Sequence, residues 1–280
     1  GTYYDTIITS PVIRKSLLTK NALVGWGNTK VVIIDSGISD DSIKPIEAID
    51  FTGTGLCDRT GHGTYIAKII HHFAKGSNLC IAKVGDSGPE KAYVIRALKW
   101  ACDIGANLVN LSCGFTEDRP LGGCKDKCPI CKAVNLAASK GVTVIVAAGN
   151  DGEKKGVISC PGMATRAITV GAVDENGYLA SYSSRGVPGV FKPNILAPGT
   201  ISINGKTIMG TSFAAPIITG VLAATMNKYS DIENTIKIMY STARDLGLPK
   251  HCQGHGVFEF CRFMEGILNE NLNDRSTRCE

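Results

Sequence analysis

Four residues along this chain have the types and settings that nucleophilic acyl transfer requires: Asp35, His62, Asn150 and Ser212. A serine hydroxyl is a weak nucleophile at neutral pH. It needs a base within hydrogen-bond reach, and the base needs an orienting partner. Histidine suits the base because its ordinary pKa is about 6.5. An aspartate can hold the imidazole in one tautomer and stabilise the cation that proton transfer creates. The tetrahedral intermediate then needs donors for its oxyanion, which the Asn150 amide and the Ser212 backbone N–H at a helix start could supply. Taken singly, each setting reads blandly: Asp35-Ser36-Gly37 as a turn, Gly61-His62-Gly63 as a loop, Gly210-Thr211-Ser212 as a helix cap. Their joint occurrence at strand ends and helix starts is what points to a site.

These side chains need a scaffold, and its elements are legible. Residues 31–34 are a β-branched run that ends at Asp35 and reads as a buried strand followed by a turn. Residues 107–111, 142–147 and 167–173 are further buried strands. Helices are expected over 64–73, 89–104, about 130–140 and 212–226. A last one starts from a Ser230 or Asp231 cap and runs through 243. In the second, Pro89 suits a first turn, and Val94, Ala97, Leu98, Ala101 and Ile104 share one face. Strands alternating with helices define the fold class as α/β, with a central, mostly parallel sheet and helices on both faces. Residues 1–280 form a single domain, with 1–25 as an N-terminal extension and 267–280 as a loose polar tail. Residues 114–128 read as a long polar loop. Ligands of such sheets bind at the carboxyl ends of the strands, where Asp35 and Asn150 fall.

Together these segments resemble the subtilisin-like serine proteases (subtilases). The resemblance rests on 31–37 (VVIIDSG), 61–64 (GHGT), 110–114 (NLSCG), 147–150 (AAGN) and 210–216 (GTSFAAP), in the order Asp, His, Ser. Residues 168–173, 182–186, 196–199 and 254–257 also match, so the likeness spans most of the chain. It implies a subtilisin-like fold and peptide-bond hydrolysis through an acyl-enzyme. Asp35, His62 and Ser212 would be the triad, and Asn150 the oxyanion donor. Ser112, Cys113 and Gly114 would pair with the substrate backbone along one wall of the S1 pocket, opposite Ala147, Ala148 and Gly149. The partner implied is a peptide or protein substrate. An inhibitory propeptide, absent from this chain, is a further one. Ser159 and Cys160 fall where the S1 base is expected. Neither is charged, which favours an uncharged P1 residue.

The chain departs from the family in three ways. Only residues 75–78 separate the histidine helix from the strand at 79–84. That is too short for the family's calcium loop, so no cofactor is expected. Phe213 stands where many relatives have methionine. The chain also has 11 cysteines. An odd count cannot pair completely within one chain. The run Cys124-x-x-x-Cys128-x-x-Cys131 suggests zinc but lacks a second half, so a disulfide-stapled or reduced loop is expected, with no metal. The odd count and the lack of a signal peptide at the first residues favour a reducing compartment over secretion. His71, His72, His251 and His255 are expected to have no catalytic part.

Two other uses of the fold are weighed beside hydrolysis. A peptide ligase or macrocyclase would need a lid near His62, and the segments flanking His62 are short. A non-catalytic peptide-binding module would have lost a catalytic position, and none is lost. The net charge of +5 is spread without a dense basic run, so nucleic acid is not an expected partner. No stretch approaches the roughly 18 apolar residues of a membrane span.

Overall fold

The computed structural model describes residues 7–9, 29–116, 123–153, 158–226 and 231–276. Chain order is β1 (Ile7–Thr9), β2 (Lys30–Asp35), β3 (Glu47–Asp50), α1 (His62–Phe73), β4 (Asn78–Lys83), α2 (Lys91–Asp103), β5 (Leu108–Leu111), α3 (Pro129–Ser139), β6 (Thr143–Ala147), β7 (Ile168–Val173) and β8 (Ile195–Pro198). It continues with β9 (Thr200–Ile203), β10 (Lys206–Met209), α4 (Thr211–Thr225), α5 (Ile232–Ser241), α6 (Lys250–Gln253) and α7 (Phe260–Ser276).

Seven strands pair in the order β3-β4-β2-β5-β6-β7-β8, all parallel. Alternation along β2 explains the two layers around them. Val31 and Ile33 join one core with α1 and α4, while Val32 and Ile34 join another with α2 and α3. All four are 0% exposed, so a strand buried on both faces reads as an unbroken apolar run. The chain leaves β2 toward β3 and leaves β5 toward β6, in opposite directions across the sheet. The crevice between the carboxyl ends of β2 and β5 is therefore the topological switch point, where open parallel sheets bind ligands.

At the chain ends the structure adds a strand to the N-terminal extension and corrects the loose C-terminal tail. Part of the N-terminal extension is a strand: β1 pairs antiparallel with β9, Ile7 opposite Ile203, and β10 completes that small sheet. Of the tail expected to be loose over 267–280, residues 267–276 belong to α7, where Ile267 is only 1% exposed, and 277–280 lie outside the described residues. Gly266 is a packing position there and not a helix stop, since a methyl group on it would lie 2.7 Å from Ile238 Cγ2. The connection from α1 to β4 is residues 74–77, as short as the sequence indicates.

Candidate active site

Asp35 is the last residue of β2, and His62 is the first of α1. Asp35 Oδ1 accepts from His62 Nδ1 at 2.7 Å and from the Ser36 backbone N–H at 2.8 Å. The carboxyl is 5% exposed and the imidazole 33%. With Nδ1 donating to the carboxylate, Nε2 carries the lone pair. Gly63 makes this approach feasible: a methyl group there would lie 2.5 Å from the Gly37 oxygen and 3.2 Å from Asp35 Cβ. Burial lowers the pKa of His62, but the charge and hydrogen bond of Asp35, helped by the charge of Asp58, outweigh it and leave the imidazole above its ordinary value.

Asp58 is a site residue that sequence reasoning missed. Its Oδ1 accepts from Ser36 Oγ at 2.7 Å and Gly61 N at 2.9 Å. Its Oδ2 accepts from Thr64 N at 2.8 Å and Thr64 Oγ1 at 2.6 Å. The carboxylate thus satisfies open N–H groups in the first turn of α1 and fixes the start of the helix that carries His62. A signal was available: a carboxylate just ahead of a helix start is a common cap. The buried Lys83 ammonium bonds the oxygens of Gly55 and Cys57, each at 2.8 Å, and holds the loop that presents Asp58.

Ser212 lies in the first turn of α4, where Pro216 sits inside the helix. Proline has no N–H, so the Ser212 carbonyl loses its usual helical partner. Ser112 Oγ replaces it, donating to Ser212 O at 2.8 Å. Behind Ser112 the chain of buried bonds continues: Asn110 Nδ2 donates to Ser112 Oγ at 2.9 Å, and Thr219 Oγ1 donates to Asn110 Oδ1 at 2.7 Å. These bonds tie β5 to α4. The Ser212 hydroxyl donates to the Ser112 carbonyl at 3.2 Å, and the ring of the next residue, Phe213, packs against His62 at 5.6 Å between centroids.

Thr211 orients Asn150. Its backbone N–H and its hydroxyl each lie 2.9 Å from Asn150 Oδ1. A backbone N–H can only donate, so the atom facing it is the amide oxygen, and Nδ2 is left to donate elsewhere. The Thr211 hydroxyl also accepts from Gly149 N at 3.1 Å, linking the wall after β6 to the start of α4.

A cleft of about 340 Å³ opens at the switch point. It is lined by Asp35, His62 and Ser112–Gly114, together with Val84, Gly85 and Ser87–Pro89. Cys113 borders it, but burial and then the Asp35 charge push that thiol up, which makes it a poor rival nucleophile. Ala147 and Ala148 are buried, at 3% and 0% exposed. Ser159 lies between the two walls. A methyl group on Gly114 would sit 2.0 Å from Ser159 Oγ, and one on Gly149 3.1 Å from it. No disulfide joins any of the ten described cysteines. Cys160, paired with Phe115 in an antiparallel bridge, brings its sulfur beside Cys124, Cys128 and Cys131. That is the second half the sequence reading did not find.

The profile of the Subtilase family matches residues 27–256. Subtilisin DY from Bacillus licheniformis is 30% identical over 261 residues, covering 85% of this chain and 91% of that protein. Subtilisin Savinase from Lederbergia lenta is 33% identical over 250 residues, covering 80% and 86%. Among solved structures, a prenylagaramide maturation protease, PagA, superposes with a TM-score of 0.70 and 26% identity, over 90% of this chain and 97% of that one. The chain belongs to the subtilase family and is a subtilisin-type serine protease.

Proposed function

We propose that this chain is an endopeptidase that matures particular peptide or protein substrates through an acyl-enzyme. Ser212 attacks the scissile carbonyl while His62 Nε2 takes its proton. Asp35 holds the ring through Nδ1 and stabilises the imidazolium. Asn150 Nδ2 and the Ser212 N–H receive the oxyanion. The proton then passes from His62 to the leaving amine, and water repeats the sequence to free the acyl group. The substrate lies extended between Ser112–Gly114 and the backbone of Ala147–Gly149. No cofactor takes part in these steps. The observation that carries this reading is the 2.7 Å His62–Asp35 bond at the switch-point cleft. The maturation role is supported by the likeness to a prenylagaramide maturation protease. An inhibitory propeptide would be a natural occupant of the same cleft.

A fluorophosphonate probe is expected to label the folded wild-type protein at Ser212 and to leave Ser212→Ala unlabelled. An unlabelled wild type would sink the proposal. The floor of the S1 pocket bears on specificity. Ser159 is neutral and 4% exposed, and its hydroxyl leans to the Ala148 oxygen at 3.4 Å. A buried cationic side chain would find no counter-charge in Ser159, and unpaired buried charge is costly. Profiling against a peptide library is therefore expected to return uncharged P1 residues. Cleavage dominated by Lys or Arg at P1 would refute this.

A further inference from the structure

We propose that Cys124, Cys128, Cys131 and Cys160 hold one structural zinc ion as four thiolates. Their four sulfurs lie within 4.8 Å of one another. Cys124 Sγ is 3.4 Å from Cys128 Sγ and 3.6 Å from Cys160 Sγ. Zinc–sulfur bonds of about 2.3 Å in a tetrahedron put the sulfurs roughly 3.8 Å apart, close to these separations. Two disulfides would need two contacts near 2.05 Å and would give no reason for all four sulfurs to converge.

The local structure is built to bring them together. Lys125 and Asp126 both adopt positive φ, 49° and 61°, uncommon for residues with side chains, and this curls the loop between Cys124 and Cys128. Cys128 is the N-cap residue of α3 and Pro129 opens the helix, so the helix start fixes where Cys128 and Cys131 stand relative to one another. The Asp126 carboxylate faces away to other partners, Thr165 N and Asn135 Nδ2, each at 2.9 Å. That leaves sulfur as the ligand set. Soft thiolates in a tetrahedron select zinc or iron–sulfur chemistry, and zinc, with no geometric preference of its own, takes the arrangement as it stands.

Charge also fits. Binding breaks four S–H bonds, forms four Zn–S bonds and releases four protons to solvent, leaving a centre of net charge −2. Burial lowers the pKa of the Lys192 amine to about 7, against the charges of Asp126 and then Cys131, which favour its ammonium form. It is anchored by Ala167 O at 2.7 Å and by Thr169 Oγ1 and Asn194 Oδ1, each at 3.0 Å. Lys125, Lys127 and Lys132 stand exposed along the same turn.

The placement gives the ion a task. Cys160 follows Ser159 and bonds Phe115 through both backbone groups, at 2.8 and 3.0 Å, directly after Gly114. An ion here ties the floor of the S1 pocket, its Ser112–Gly114 wall and α3 into one unit.

The test uses the full chain expressed with zinc available. Elemental analysis after dialysis is expected to find one zinc per chain, and zinc-edge X-ray absorption four sulfurs at about 2.3 Å. Cobalt(II) exchanged into the site should give a thiolate charge-transfer band and intense tetrahedral ligand-field bands. Cys160→Ser should lose a sulfur from the shell, whereas Cys102→Ser, a thiol outside the cluster, should change nothing. Should Cys160→Ser fail to fold, the wild-type spectra still decide. Substoichiometric zinc, a disulfide among the four cysteines, iron in place of zinc, or nitrogen or oxygen in the wild-type shell would each overturn the proposal.

Discussion

Ser212→Ala and His62→Ala are each expected to lower kcat by about 10⁶, and the double variant to fall no further. The magnitude is that of subtilisin itself, where loss of either group costs nearly as much as loss of the whole triad. The non-additivity follows from the division of labour proposed above. Without the imidazole the hydroxyl keeps its proton, and without the hydroxyl the imidazole has nothing to activate. Residual turnover of about 10³–10⁴ over water should persist, because Asn150 and the substrate walls are untouched. Steady-state kinetics on one peptide substrate, with folding checked by circular dichroism, makes the comparison. Single losses that multiply in the double variant would mean that Ser212 and His62 act separately.

Asp35→Asn is expected to lower kcat by about 10⁴ and to move the pH profile at the same time. An amide can present its NH₂ to His62 Nδ1 and stabilise the wrong tautomer. The direction of the profile follows from the forces on the ring. In the wild type Asp35 raises the pKa of His62 against the lowering effect of burial. The base works when neutral, so kcat/KM should fall as pH drops through a value above 6.5. Removing the carboxylate leaves burial to dominate, and the acid limb should shift to lower pH. An acid limb that stays in place would show that Asp35 does not set the protonation of His62.

Much of this architecture was legible because the relevant forces act between near neighbours in sequence. The β-branched runs of β2 and β6 announce strands buried on both faces, and Asp231 announces α5 by accepting from Asn234 N at 2.8 Å. Asp35, His62, Asn150 and Ser212 stand out because each sits at a strand end or helix start. What stayed hidden depends on distant partners. β1 exists because β9 lies beside it, and β3, Glu47–Asp50, is a polar edge strand without apolar alternation. Asn110 and Thr219 look like an ordinary strand residue and an ordinary helix residue. Only the packed structure shows them supporting Ser112 and, through it, the Ser212 carbonyl left open by Pro216. Cys160 gave no local sign of Cys124, because the bridge to Phe115 is what brings it there.

The bond between Ser112, just past β5, and the start of α4 joins residues 100 positions apart, and it has a meaning for synthesis on the ribosome. Translation delivers Asp35 and His62 early and Ser212 late. Until α4 has emerged from the exit tunnel, the nascent chain has neither the proposed nucleophile nor the helix that covers Ile66, Ile69 and Ile70 of α1. Long-range contacts of this kind form last and as a unit. A ribosome-bound chain is therefore unarmed until α4 has emerged. Peptide-cleaving capacity arises in a single folding event, in which α4 closes over α1 and the end of β5.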